Sequence, residues 1–231
     1  MAGEERDLTN RDDSRPVRVK VDNVKKIYNT RNGEMVALNG VTLDIHDNEF
    51  ICVVGPSGCG KSTLLRHLKP ILTPHGKTSG EIYFYGKSIY DLSDREQAEN
   101  IGFVMQNPDN QIVTDKVWHE LVFGLESLGI NSAEIRSKAA EMASFFGIQN
   151  WFYENVANLS GGQKQILNLA SVMVMNPTLL LLDEPSSQLD PISAHDFFTM
   201  LERINTELGV TIILSEHNLS EVFPLSDKVV V

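Results

Sequence analysis

The sequence predicts an α/β fold built around a phosphate-binding loop, and three observations carry that expectation. The stretch Gly55-Pro-Ser-Gly-Cys-Gly-Lys61-Ser62 fits the pattern G-x-x-x-x-G-K-[ST]. An apolar run at 50–54 reads as a buried strand before it, and 61–68 reads as a helix after it. Further apolar runs at 101–105, 179–182 and 210–214 read as more buried strands of an open, mostly parallel sheet. Strand, loop and helix in that order are the context the motif needs, so the fold expected is a P-loop NTPase core.

The chemistry of the loop follows from its residue types. Gly55, Gly58 and Gly60 let the backbone turn its N–H groups inward on a polyphosphate. The helix N-terminus adds positive dipole at the same point. Lys61 is placed to hold the β- and γ-phosphates, and the Ser62 hydroxyl to reach Mg²⁺. Ser57, Cys59 and Thr63 belong to the same nucleotide-binding stretch. A glycine-rich surface turn is the plainer alternative, and the flanking strand and helix argue against it.

Composition narrows the function classes. The 231 residues suffice for one large domain with a sizeable core, or a domain with inserted lobes. A net charge of −11 argues against nonspecific nucleic-acid binding, though not against a local basic patch. The apolar runs are far too short to span a bilayer, and the charged start of the chain has no signal-peptide character. Cys52 and Cys59 stand one on a strand and one in the loop, poorly placed to bridge, and read as free thiols of a reducing cytoplasm.

In chain order, residues 1–16 are polar and charged and are expected to form a disordered leader. Val17, Val19 and Val21 alternate with Arg18, Lys20 and Asp22, predicting a half-buried strand. Asn32-Gly33 is a hairpin signal, and Val41, Leu43 and Ile45 alternate again, so an antiparallel β lobe is expected at the N-terminal side. Tyr28 lies at the end of the first arm, where an aromatic ring either packs or stacks on a base. Pro70 and Pro74 close the helix after the loop. Residues 81–85 read as a strand ended by Gly86, and Ser93 with Glu96 forms a capping box. Gln106 follows the strand at 101–105. Ligands bind at strand carboxyl ends in such sheets, so Gln106 is placed to reach a metal or an attacking water; a loop glutamine bonded to backbone is the alternative.

Residues 107–158 change character and predict a helical lobe inserted in the α/β domain. A turn at 107–111 leads to Val117, Trp118, Leu121, Val122, Leu125 and Leu128 at helical spacing, stopped by Gly129. Asn131 and Glu134 cap a second helix running to about Phe146. Trp118, Phe145 and Phe146 are expected in the core.

Two further motifs bear chemistry. Leu159-Ser160-Gly161-Gly162-Gln163 opens a helix, and a serine with two glycines there makes a second anion site as well as an ordinary N-cap. The run at 179–182 ends in Asp183-Glu184-Pro185, a strand presenting two acids at its carboxyl end. Asp183 is expected to hold Mg²⁺ through water and Glu184 to polarise the attacking water. Asp190 and Pro191 open a helix carrying Phe197, Phe198 and Leu201. The strand at 210–214 delivers Ser215, Glu216 and His217 to the same edge. Residues 228–231 look like a strand cut short, so the chain is expected to continue.

Taken together these residues resemble the nucleotide-binding subunit of ATP-binding-cassette transporters, from about residue 17 to the end. The phosphate loop is shared by many NTPases; Leu159-Ser-Gly-Gly-Gln163 between it and the acidic strand is far more specific. The resemblance implies that Tyr28 stacks on adenine, that Gln106 is the Q-loop glutamine, that Asp190 is the D-loop aspartate, and that His217 is the switch histidine sensing γ-phosphate. Glu216 departs from the serine or threonine of many relatives. The segment from Gln106 to Glu126, Ser186-Ser-Gln-Leu-Asp-Pro191 and Ser215-Glu-His-Asn-Leu219 are similar to the ATPases of energy-coupling-factor importers, which take up vitamins and cobalt or nickel ions.

This resemblance implies a peripheral subunit on the cytoplasmic face of the cell membrane, with ATP and Mg²⁺ as ligands. The partners implied are a second cassette, as homodimer, heterodimer or fused half, and a transmembrane T-component docked through about residues 107–126, with no nucleic acid. The signature of one cassette would close over the phosphate loop of the other. A soluble cassette acting on ribosomes or DNA is the rival reading, without the tandem linkers, coiled coil or zinc insertion such proteins carry. A P-loop kinase or switch GTPase would leave 159–163 and His217 without roles.

Overall fold

Two sheets share the phosphate loop between them in this computed structural model, which describes residues 14–30, 33–217 and 219–231. The first is antiparallel, with β1 (Val17–Thr30), β2 (Gly33–His46), β4 (Lys77–Phe84) and β5 (Lys87–Ser88) in the order β2-β1-β4-β5. Thr30 pairs with Gly33 across the expected hairpin. Asn32 of that turn lies outside the described residues, as do residues 1–13 of the expected leader.

The second sheet is parallel throughout: β3 (Phe50–Val53), β6 (Ile101–Val104), β7 (Leu179–Asp183), β8 (Thr211–Ser215) and β9 (Lys228–Val230), in the order β6-β7-β8-β3-β9. Strands β3, β6, β7 and β8 are buried along their whole length, which is why they read as unbroken apolar runs. Side chains alternate across the pleat. Cys52, Leu180, Leu182, Ile212 and Leu214 join one core cluster; Ile51, Val53, Leu179, Leu181 and Ile213 join another. Full burial of a side chain such as Phe50 contributes on the order of 2 kcal/mol.

Helices cover both faces. Helix α1 (Lys61–His67) and α2 (Asp94–Asn100) follow β3 and β5; the Ser93–Glu96 capping box at α2 is present. Between β6 and β7 run α3 (Val117–Ser127), α4 (Ser132–Phe145) and α5 (Gly161–Met173). Gly129 takes φ 72° after α3, and the Asn131 side chain accepts from the Glu134 N–H at the start of α4. Helices α6 (Pro191–Leu208) and α7 (Leu219–Val222) flank β8. Phe197, Phe198 and Leu201 of α6 pack in the first core cluster with β3, β7 and β8.

Two expectations need correction. Trp118 is not a core residue: it is 39% exposed and lines an open apolar cleft between α3 and α4. The first strand does not keep simple alternation either. A register shift between Val17 and Val19 turns Val17 outward and Arg18 inward, leaving Val17 38% and Arg18 6% exposed. The Arg18 guanidinium is held by Asp47 and by the Thr178 carbonyl, which ties the antiparallel sheet to the segment just before β7.

Candidate active site

Because β3, β6, β7 and β8 run parallel, their carboxyl ends emerge on one edge of the sheet. That edge receives the phosphate loop from β3, Gln106 after β6, Asp183 and Glu184 from β7, and Ser215 to His217 from β8. Gln106 is exposed, Asp183 is buried and Glu184 is half-buried.

The loop is shaped by its glycines. Gly60 takes φ 108° as the N-cap of α1, and a Cβ there would lie 2.4 Å from the Ala37 carbonyl of β2. Only glycine lets the loop pass that strand. Lys61 is buried, and its Nζ donates to the Gly55 carbonyl at 2.7 Å and the Pro56 carbonyl at 3.4 Å. The ammonium is thus pinned at the centre of the loop, 3.7 Å from Glu184 Oε1.

Asp183 and Glu184 are held differently. The Ser62 hydroxyl donates to Asp183 Oδ1 at 2.7 Å, and the Ser215 hydroxyl donates to the same oxygen at 3.0 Å. Arg66 approaches Oδ2 at 3.8 Å. The Glu184 carboxylate faces three groups: Lys61, the Gln106 amide donating to Oε2 at 3.3 Å, and His217 Nε2 at 2.8 Å from Oε1. Glu184 takes φ 48°, a left-handed conformation uncommon outside glycine. Its N–H donates to the Ser215 carbonyl and hydroxyl, both at 3.1 Å, and these bonds hold the turn.

The Ser62 hydroxyl and the Asp183 carboxylate are an oxygen-only pair that converges within hydrogen-bond distance, which fits a Mg²⁺ shared with phosphate oxygens. Among the described residues no cluster of three or more His, Cys, Asp or Glu side chains stands ready for a metal, and a magnesium ion completed by phosphate and water does not need one.

The other candidates stand apart from this cluster. Tyr28 lies on β1, half-buried, with its hydroxyl 3.1 Å from Thr63 Oγ1 and Lys26 Nζ 5.6 Å from its ring centre. Ser160 caps α5 at an exposed corner. Its hydroxyl accepts from the Gln163 N–H, and Gln163 Oε1 accepts from the Ser160 N–H. Gly161 is open to solvent, whereas a Cβ on Gly162 would lie 2.7 Å from Ser193 Oγ. Ser193 in turn donates to Asp190, and that bond first, with the Ser193 and Ile192 N–H groups, holds the Asp190 carboxyl below its usual range. The signature and Asp190 therefore adjoin each other through Ser193. Ser57, Gly58 and Cys59 are exposed on the loop.

Sequence reasoning named Ser215 only as a residue carried to this edge and Ser186 only as the start of the segment to Pro191, and gave no role to Arg66 or Gln165. The pairing of Asp183 with Ser215 in the parallel register is the signal that puts a hydroxyl beside the acid. Gln165 is buried on α5 and donates to the Pro185 carbonyl at 2.9 Å, joining the signature helix to the turn after Glu184.

A parallel sheet with a phosphate loop, two acids and a histidine at one edge, and a capped glycine pair on a separate helix, define an ATP-binding cassette. The profile of the ABC transporter family matches residues 38–187, and the chain belongs to that family. A Bacillus cereus protein named as an ABC transporter ATP-binding protein is 48% identical over 211 residues, covering 91% of this chain and 38% of its own length. The chain thus spans well under half of that relative. The energy-coupling factor transporter ATP-binding protein EcfA1 of Symbiobacterium thermophilum is 39% identical over 203 residues, 85% of this chain and 67% of that protein. Among solved structures, CbiO1 of Clostridium perfringens, part of the ABC transporter complex CbiONQ, superposes with a TM-score of 0.81 at 34% identity, covering 93% of this chain and 84% of that one. A dimeric ATP-binding cassette in a post-hydrolysis state with ADP and Pi gives 0.76 at 27% identity over 90% and 91%.

Proposed function

We propose that this chain is the ATP-hydrolysing motor of an energy-coupling-factor type importer that takes up a small micronutrient, a vitamin or a transition-metal ion. The observation that carries the hydrolytic part is the Glu184 carboxylate, held at one sheet edge by Lys61, Gln106 and His217. The likeness to EcfA1 and CbiO1 supports the kind of transporter.

In this reading the loop N–H groups from Gly55 to Ser62 and the Lys61 ammonium bind the phosphates, and Thr63 completes the loop. Tyr28 stacks on adenine. Ser62, Asp183 and Gln106 hold Mg²⁺, which when bound offsets negative charge on the β- and γ-phosphate oxygens. Glu184 orients the attacking water and accepts its proton. His217 holds Glu184 and senses the γ-phosphate.

Ser160, Gly161, Gly162 and Gln163, with Asp190 beside them, complete the site of a second cassette. Their own hydrogen bonds are spent within α5 and the start of α6, and Ser160 and Gly161 face outward. The transmembrane T-component docks through about residues 107–126. The apolar cleft of about 680 Å³ lined by Trp118, Val122, Ile135 and Ala139 supports this and extends the surface onto α4. No described helix is long and apolar enough to cross a membrane. In this reading the subunit works as a peripheral one on the cytoplasmic face, which the likeness to EcfA1 and CbiO1 supports.

The test is purification of the full chain from its own cells with its partners. ATP hydrolysis together with co-purification of an integral membrane protein is expected. Co-purification with ribosomes or DNA and no membrane subunit would replace the transport reading.

A further inference from the structure

Glu216 is a charged residue in the wrong place for a surface acid. It is 3% exposed, just past the end of β8. Burying a carboxylate is unfavourable unless its oxygens are filled by donors. Both are filled here. Oε1 accepts from the Ser186 N–H at 3.1 Å and the Ser186 hydroxyl at 2.7 Å; Oε2 accepts from the His217 N–H at 3.2 Å.

The two residues bridged belong to the two arms of the active site. Ser186 lies two positions after Glu184, on the chain leaving β7. His217 lies on the chain leaving β8. Their side of the edge is already joined once, where the Glu184 N–H bonds Ser215. Glu216 supplies a second, outer link between the same two chain segments. The result is a closed ring: Glu184, Ser186, the Glu216 carboxylate and His217, shut by the 2.8 Å contact of His217 Nε2 with Glu184 Oε1.

We infer that Glu216 is a positioning residue for hydrolysis, its carboxylate bridging Ser186 to His217 and thereby fixing the separation at which His217 meets Glu184. A carboxylate suits this task because it has two acceptor oxygens and no donor, matching a site that presents N–H groups on both sides. Ser186 also begins the turn to Asp190, since the Leu189 N–H donates to the Ser186 carbonyl at 2.9 Å. The same bridge therefore links His217 to the segment that meets the second cassette. The inference rests on the ATPase reading given above.

The experiment compares Glu216→Gln, Ser186→Ala and the double variant with the parent, all as the full chain. Glutamine keeps the size but sets an NH₂ group against one of the N–H donors, so one half of the bridge breaks. Expected are a fall in kcat for ATP of about tenfold or more and ATP affinity within about twofold of the parent, because a misplaced contact at the reacting centre costs rate. Ser186→Ala should lose about threefold, and the double variant no more than Glu216→Gln, because both act through one oxygen. The imidazole resonances of His217, followed by NMR, should shift in Glu216→Gln whether or not turnover is measured. Turnover within twofold of the parent, additive losses in the double variant, or an unmoved His217 signal overturns the bridge. If Glu216→Gln fails to fold, Ser186→Ala with parent kcat and an unmoved His217 signal overturns it. A parent chain without ATPase activity would count against the ATPase reading, and the His217 signal would still decide the bridge.

Discussion

His217 Nε2 lies 2.8 Å from Glu184 Oε1, on the neighbouring strand exit of the parallel sheet. The other oxygen of the same carboxylate accepts from Gln106. One acid is thus addressed from three strand ends, by Lys61, Gln106 and His217. Such convergence makes the position of Glu184 a property of the whole edge rather than of its own loop.

Replacing Glu184 by glutamine tests its charge. The amide keeps the shape and can still meet His217, but it loses the basicity needed to take a proton from water. Turnover should fall on the order of 10²-fold or more, with ATP binding retained. An ATP-bound dimer should accumulate and elute early on size exclusion. Near-normal hydrolysis would move the general base to another residue.

The two thiols should differ sharply in reactivity. Burial first, and then the Glu216 charge, push the Cys52 thiol up to about 12, while Cys59 is exposed on the loop. The thiolate is the nucleophile, so a maleimide at pH 8 should add once, at Cys59. Mass spectrometry should find one adduct, and none in Cys59→Ser. Saturating ATP should slow the addition, because the loop backbone then encloses phosphate. Rapid labelling of Cys52 in the native chain would contradict its place in β3.

The fold was legible because its strands are buried on both faces and stand out as apolar runs between glycines and capping residues. Leu179–Asp183 shows this well: four leucines, then an acid at the strand's end. The lysine, the acids and His217 were legible as motif members, and the parallel topology brings them to one edge. Arg18 was not legible, because a bulge moves it to the inner face without changing the alternation of residue types. Trp118 was misplaced because a helical apolar stripe looks the same whether it meets a core or an open cleft. The Glu216 bridge joins residues 30 apart in sequence, and nothing local signals a contact set by strand register.

Lys69 gives the stability a particular pH dependence. Burial holds its ammonium down at about 8 against an ordinary 10.5, with Nζ donating to the Ile101 carbonyl at 2.6 Å. Below pH 8 both folded and unfolded chains carry the proton, and the folded state bears the cost of burying it. Between 8 and 10.5 the unfolded chain still holds a proton that the folded chain has released, so stability rises with pH. At about 1.4 kcal/mol per pKa unit the full gain is on the order of 3.5 kcal/mol. Tm should climb by a few degrees from about pH 7.5 to about 9. Cys52 works in the opposite sense above pH 9, where an unfolded thiol ionises first. Comparison with Lys69→Met isolates the lysine: the climb should flatten in that variant. An unchanged pH profile would remove Lys69 as its source.

The last prediction concerns the signature. The Ser160 and Gln163 N–H groups are spent on each other in a capping box, while Ser160 and Gly161 themselves lie exposed at a corner of α5. Ser160→Arg should leave ATP binding nearly intact, since Lys61, Ser62 and Tyr28 are untouched. It should block hydrolysis, because a bulky cation displaces donors meant for the γ-phosphate held by the partner, and the loss of one such donor group costs on the order of 10²-fold. In a homodimer both composite sites fail. Mixing the Ser160→Arg chain with a Lys61→Ala chain creates dimers with one wholly intact composite site and one doubly broken one, and activity should return to the extent that one site suffices. A direct geometric test uses a background lacking Cys52 and Cys59, with new cysteines at Ser57 in one chain and Gly161 in the other. ATP should promote a crosslink between the two chains. With both new cysteines placed together in every chain, crosslinks confined to single chains would mean that the signature serves its own loop, and the head-to-tail dimer on which the motor reading depends would be wrong.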